Sequence, residues 1–157
     1  HMPLPPLGFS FSVEISGTQT STIEAAFQEA KGLSAEMETE TIYEGGESRF
    51  AHKVPKAVKY SNNLELKRGL ITTNSLFGDW CIEQLTTGLY GKIVAKDLTV
   101  HLLELGTAGS KPIMSWAITG AYPVKWEVGQ QNAKKDEILV ETLVISYAYL
   151  TVLYSKT

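Results

Sequence analysis

The chain has 157 residues and a mass of 17.2 kDa, which fits one domain with a sizeable core. A net charge of −3 and a pI of about 5.6 point away from nucleic acid and anionic membranes as binding surfaces. A single cysteine, Cys81, excludes an internal disulfide framework and suits a reducing compartment, and no apolar run approaches the roughly 18 residues of a membrane helix.

His1-Met2 reads as an expression scar, leaving residues 3–157 as one domain. No charged leader or apolar signal core follows it, so any export would need a machine rather than a cleaved signal. "GFSFSVEIS" has Phe9, Phe11, Val13 and Ile15 on one face and Ser10, Ser12 and Glu14 on the other, the pattern of a half-exposed antiparallel strand. From Leu33 to Tyr43 a second strand alternates. Leu33, Ala35, Met37, Thr39, Thr41 and Tyr43 share one face; Ser34, Glu36, Glu38, Glu40 and Ile42 share the other. Gly45-Gly46 breaks it.

"EGGESRFAHKVPKAVKY" lacks a clean period and predicts a long exposed loop over about 45–59, basic through Arg49, Lys53, Lys56 and Lys59. "NLELKRGL" then reads as a returning strand, with Leu64 and Leu66 opposite Glu65 and Lys67. Arg68 stands where a third apolar residue belongs, and Gly69 follows, which predicts that the strand leaves the core there. Phe77, Trp80, Cys81 and Leu85 form a helical stripe, with Asn74 as N-cap and Gly88 as stop, so the spacing predicts one helix over about 74–87.

Strand patterns resume at "KIVAKDLTVHLLEL", where Val94, Leu98, Val100 and Leu102 share a face broken by Lys96. "GTAGSKP" reads as a hairpin turn into "IMSWAITGAYPVKWEV", and "GQQNAKKD" as a turn into "EILVETLVISYAYLTVLY". That last strand is apolar on both faces, with Ile138, Val140, Val144 and Leu150 on one and Leu139, Leu143, Ile145, Tyr147 and Tyr149 on the other. A strand apolar on both sides is covered on both sides, and a small one-helix β domain has little material for that, so a neighbouring subunit could supply it.

Catalytic chemistry finds no footing. His52 and His101 fit no metal-ligand spacing, and read as a polar loop residue and a satisfied sheet histidine. Cys81 on the apolar stripe reads as a buried, inert thiol. Nucleophile elbow, phosphate loop and dinucleotide fingerprint are missing, so catalytic, metal and cofactor residues are all expected to be none. Glu36, Glu38 and Glu40 stand about 7 Å apart on a strand, too far for one ion without outside ligands. They read as a solvated strand face or as a polar face lining water inside an assembly. Trp116, Trp126, Tyr122 and Pro123 read as packing and sheet-corner residues.

The order of "FSVEISG", "AAFQEAKGLSAEMETETIYEGG", "LELKRGL", "SLFGDWCIEQLTTGLYGK", "LTVHLLEL", "SWAITGAYPVKWEV" and "ILVETLVISYAYL" resembles the tail-tube family of contractile phages and phage-tail-like injection particles, over about Phe9 to Tyr149. The resemblance implies a mainly β fold, an antiparallel β-barrel-like sandwich with one flanking helix. It implies six copies in a ring, and rings stacked into a hollow tube whose lumen wall joins hairpin strands from all subunits. That fold and assembly are shared with the type VI secretion tube protein. The C-terminal "AYLTVLYSKT" is more hydrophobic than the family pattern, which leaves open a specialised subunit at the tube end.

On that reading the protein is a structural inner-tube subunit and not an enzyme. A baseplate or tube-end adaptor on the same fold is the alternative, and a monomeric ligand-binding or enzymatic β-barrel a remote one. Leu33–Tyr43 and Asn63–Leu70 are expected to form a hairpin, with Glu36, Glu38, Glu40, Glu65 and Lys67 facing a net-negative lumen. The loop, through Arg49, Phe50, His52, Lys53, Lys56 and Lys59, is expected to stack rings. Arg68, Leu139, Leu143, Ile145, Tyr147 and Tyr149 are expected at the subunit interface of the ring. The implied partners are further copies of the chain, sheath and baseplate proteins, and cargo in the lumen, with no nucleic-acid specificity. Assembly is expected in the bacterial cytoplasm without a signal peptide, as part of a phage-tail-like particle that could act outside the cell.

Overall fold

The computed structural model describes residues 8–16, 26–43, 51–70, 76–88, 94–106, 109–130 and 139–154. It is mostly antiparallel β with one helix. The strands are β1 (Gly8–Ile15), β2 (Ala26–Phe27), β3 (Glu29–Lys31), β4 (Ala35–Tyr43), β5 (Ala51–Tyr60), β6 (Asn63–Gly69), β7 (Lys96–Gly106), β8 (Gly109–Gln130), β9 (Leu139–Ser146) and β10 (Tyr149–Tyr154); the helix α1 spans Leu76–Thr87.

Eight strands form one sheet in the order β2-β1-β7-β8-β9-β6-β3, with β10 added on β8. The path closes on itself. β2 and β3 are separated only by Gln28, whose amide donates to the Lys67 carbonyl at 2.9 Å. One short segment therefore pairs with β1 at one end of the path and with β6 at the other. Strand β8 serves both halves of the barrel. Up to Ala121 it pairs with β7, and from Tyr122 it pairs with β9. The change falls on Ala121-Tyr122-Pro123, with a register shift between Pro123 and Lys125 that bends the strand round the corner.

Inside lie Val13, Ile15, Phe27, Leu64, Leu66, Leu98, Val100, Trp116, Ile118, Leu143 and Ile145, together with Phe77, Trp80 and Cys81 from α1. Period two supplies the strand residues and period 3.6 the helical ones. Phe27 meets Phe77 edge-on with centroids 5.8 Å apart, and Phe77 meets Trp80 at 5.9 Å. Leu85 is half-buried and Gly88 closes the helix at φ 53°, as expected of a left-handed stop, while Asn74 lies outside the described residues.

Several expectations need correction. Leu33–Tyr43 and Asn63–Leu70 do not form a hairpin: β4 pairs with β5, while β6 lies between β3 and β9. The expected loop over 45–59 is, from Ala51 on, strand β5. Its period was hidden for two reasons. A bulge places Lys56 as an extra residue between the pairs Glu38–Ala57 and Thr39–Pro55, which shifts the alternation halfway along. Between Lys53 and Lys59 the side chains are exposed except half-buried Val54, so no core imposes an apolar side there. The strand beginning near Val94 starts instead at Lys96, and Val94 is exposed. Phe9 is exposed although its alternate neighbours Val13 and Ile15 are buried.

The two-faced final strand is two strands. β9 and β10 follow the same line along β8, but the break at Tyr147-Ala148 exchanges their faces, so Leu143, Ile145 and Tyr147 point inward and then Leu150 does. Val140 and Val144, on the outer face of β9, are only half-buried. The demand for a neighbour to cover them is smaller than the sequence implies.

Candidate assembly interface

Strands β4 and β5 form a separate two-stranded sheet, with no strand pairing to the barrel among the described residues. Several contacts set where this arm leaves. At its base the Ser61 amide donates to the Ser34 carbonyl at 3.4 Å, while Leu33 and Tyr60 pack partly against the core. Gly32 sits beside them at φ 96°, and a Cβ there would lie 1.8 Å from the Asn63 carbonyl oxygen, so only glycine fits. The Tyr147 hydroxyl caps the same point by donating to the Gly32 carbonyl at 2.7 Å. Burial raises the Tyr147 pKa above its usual 10.0.

Beyond the base the described side chains of the arm are exposed, apart from half-buried Val54. Every side chain from Ala35 to Thr41 is exposed, as are Lys53 and Pro55 to Lys59. The register puts Glu36 opposite Lys59, Glu38 opposite Ala57 and Glu40 opposite Val54 on one face. The other face carries Met37 opposite Val58 and Thr39 opposite Pro55, with Met37 52% and Val58 47% exposed. One face of the arm is thus acidic and the other largely apolar. His52 and Lys53 lie on β5 opposite Ile42 and Thr41; Arg49 and Phe50 lie outside the described residues.

Glu65 and Lys67 are not beside the β4 glutamates. On the outer face of the barrel, Lys67 lies between Glu29 and Thr142, and Glu65 between Lys31 and Val144. Next to them on β8, Glu127 opposes Thr142 and Lys125 opposes Val144. Lys31 pairs with Glu29 at 3.1 Å and Lys125 with Glu127 at 3.0 Å. This face therefore alternates in sign along and across the strands and is balanced, unlike the acidic face of the arm.

Arg68 does not break the alternation of β6 and does not point toward a neighbour. Leu64, Leu66 and Arg68 are all buried on the inner side. The Arg68 guanidinium donates to Glu141 Oε1 through Nη2 at 3.0 Å and Nε at 3.3 Å, and lies 4.6 Å from the Phe27 ring centroid. The sequence alone does not reveal this pair, because its partners are 73 residues apart. Of the other residues expected at the ring interface, Leu143, Ile145 and Tyr147 are core residues of their own chain, while Leu139 and Tyr149 are exposed.

The remaining candidates for chemistry are satisfied or sealed. His101 Nδ1 lies 2.6 Å from the Ser115 hydroxyl, and its Nε2 lies 3.4 Å from Glu14 Oε2. Cys81 is fully buried, and burial pushes its thiol up to about 12. Among the described residues no group of acidic, histidine and cysteine side chains could hold a metal ion. No helix in the described residues is long and apolar enough to cross a membrane.

Comparison with solved structures finds chains of similar fold. A chain from the anti-feeding prophage baseplate is 22% identical, with a TM-score of 0.64 over 99% of this chain and 100% of that one. A chain from the sheath-tube complex of PVC, an extracellular contractile injection system, is 19% identical, with a TM-score of 0.65 over 98% and 93%. Hcp1 from Flavobacterium johnsoniae is 15% identical, with a TM-score of 0.51 over 93% and 96%. Comparison with curated protein sequences finds no match. The sequence profile of the T4-like virus tail tube protein gp19 family matches residues 7–151, and the chain belongs to that family.

Proposed function

We propose that six copies of this chain form a ring and that rings stack into the hollow inner tube of a contractile injection particle. The observation that carries this reading is the arm. A two-stranded sheet alone is marginal in water, and among the described residues this one has both long edges open and neither face packed along most of its length. It makes physical sense only if other copies complete it. Joined arms would form part of the lumen wall, with Glu36, Glu38 and Glu40 facing water. Glu65 and Lys67 would add a balanced face to that wall. The tip end of the arm, with Lys53, would meet an acidic rim on the next ring. Such a head-to-tail contact between unlike surfaces does not close on itself and so gives a filament.

The role is structural and no catalysis is involved. Sheath and baseplate proteins of the same particle are the outer partners, and cargo occupies the bore. The exposed apolar residues Val152 and Leu153 of β10 favour a second reading, an adaptor at the end of a tube. Electron microscopy of the purified protein, with sedimentation across a concentration series, separates the cases. Tubes or stacking rings support the subunit reading, rings that never stack support the adaptor, and monomers at every concentration refute both.

A further inference from the structure

Among the described residues the barrel leaves the edge of β10 open, without the devices that usually protect such an edge. β9 and β10 follow β8 in one register: Ser146 faces Tyr122, Tyr149 faces Thr119 and Tyr154 faces Met114. On the far side, β6 covers β9 as far as Ser146. There the Tyr147 amide turns to the Asn62 carbonyl at 3.0 Å, Asn62 takes φ 66°, and the chain that would have run on beside β10 is β5, which belongs to the arm. The departure of the arm therefore strands the edge of β10, which pairs only with β8 among the described residues.

Open edges are normally blunted by charge, proline or a bulge. Of the other open edges among the described residues, β4 carries the charges of Glu36, Glu38 and Glu40. β5 has Lys53, Pro55, Lys59 and a bulge at Lys56, and the second half of β8 has Pro123, a register shift, Lys125 and Glu127. β10, Tyr-Leu-Thr-Val-Leu-Tyr, has no charge, no proline and an unbroken register, with Tyr149 51% and Leu153 44% exposed. It is built to be covered by another strand.

We propose that the edge of β10 receives β4 from the arm of a second copy, by antiparallel or parallel strand addition. This rests on the ring reading and names the two edges that meet. β4 is the matching edge. It offers nine residues without proline or an extra residue against six in β10, whereas β5 carries both interruptions. Alternation also fits, since one face of β4 is apolar and the other acidic, and a strand added to β10 has one side toward the barrel and one toward water. Every copy has both the stranded edge and the arm; on the ring reading each arm passes to the next copy instead of being exchanged back, so the contact is heterologous and propagates until a ring closes.

Cysteine crosslinking tests this directly, against a quiet background because Cys81 is sealed in the core. Thr151→Cys is combined in turn with a cysteine at each position from Met37 to Thr41, all of them exposed sites. Mild oxidation should give a ladder of linked chains up to the ring size for alternate positions only, since strand side chains alternate faces. The single substitutions should give none. Rings seen by microscopy without any ladder would overturn the edge assignment and leave the ring reading standing. Absence of both rings and ladder would overturn the two together. As a second measurement, amide exchange across Tyr149–Tyr154 should slow at least tenfold from dilute monomer to assembled rings; unchanged exchange in rings would also refute the assignment.

Discussion

The barrel and the arm are built from strands of similar length by opposite rules. In the barrel, each strand buries one face: β6 buries Leu64, Leu66 and Arg68, and β9 buries Glu141, Leu143 and Ile145. In the arm, β4 and β5 bury almost nothing, and their sequences match that freedom, with glutamate at alternate positions of one strand and lysine scattered along the other. The barrel has its partners inside the chain. Among the described residues the arm has a face and two edges that no other part of its own chain covers. Stability should therefore depend on the barrel, and assembly on the arm.

The largest break in that division should come from Arg68→Ala. It leaves the Glu141 carboxylate buried and unpaired, at a cost of about 3–5 kcal/mol measured by denaturant unfolding. Replacing both partners, as Arg68→Met with Glu141→Leu, should return stability close to that of the wild type. A double variant as unstable as the single one would show that the pair itself, rather than the orphaned charge, holds β6 to β9.

Next in size is Leu143→Ala, expected to cost about 2–5 kcal/mol because it opens a cavity in the core. Read as an interface residue, Leu143 would instead change ring formation at unchanged thermal midpoint, and that outcome would overturn its place in the barrel.

Alkaline pH should weaken the barrel through a buried thiol. The Cys81 thiol rises from 9.0 to about 12 in the folded state, so the folded chain holds a proton that the unfolded chain has lost. The stabilisation is complete below pH 9, and falls as pH rises toward 12, by about 1.4 kcal/mol per unit. Tyr147, raised from 10.0 by burial, adds a contribution of the same sign at higher pH. Cys81→Ala should flatten the decline between pH 9 and 11, and equal slopes for the two proteins would contradict the burial.

The smallest stability effects belong to the arm. Met37→Ala with Val58→Ala should shift unfolding by about 0.5 kcal/mol or less, while preventing rings, as read by sedimentation. Changing Glu36, Glu38 and Glu40 together to glutamine should leave both stability and rings intact, since solvated charges contribute about 0–1 kcal/mol. If rings were lost, the glutamates would belong to a contact between copies.

Much of the barrel was legible in the sequence, and little of the arm's pairing was. The alternation of Val13 and Ile15, of Leu64 and Leu66, and of Leu98 and Val100 announces strands with one buried face, because a core imposes the period. The stripe of Phe77, Trp80 and Cys81 announces the helix for the same reason. β5 carries little such imprint, because among its described side chains the core meets it only at Tyr60, at its end, and a bulge shifts its phase, so it reads as a loop. Arg68 misleads in the opposite way: it looks like the end of a strand, and is a core residue whose charge is met by Glu141 on another strand.

By itself the sequence determined the strands that face a core, the helix at Leu76–Thr87, and the kinship with tail-tube proteins, because each of these is written locally or in the order of motifs along the chain. The tertiary structure alone decided which strands pair, that Arg68, Leu143, Ile145 and Tyr147 turn inward, that β4 takes β5 and not β6, and that β10 is left with an open edge. Pairing joins residues far apart in the chain, and a strand's own pattern says which face is buried but not which neighbour it will meet.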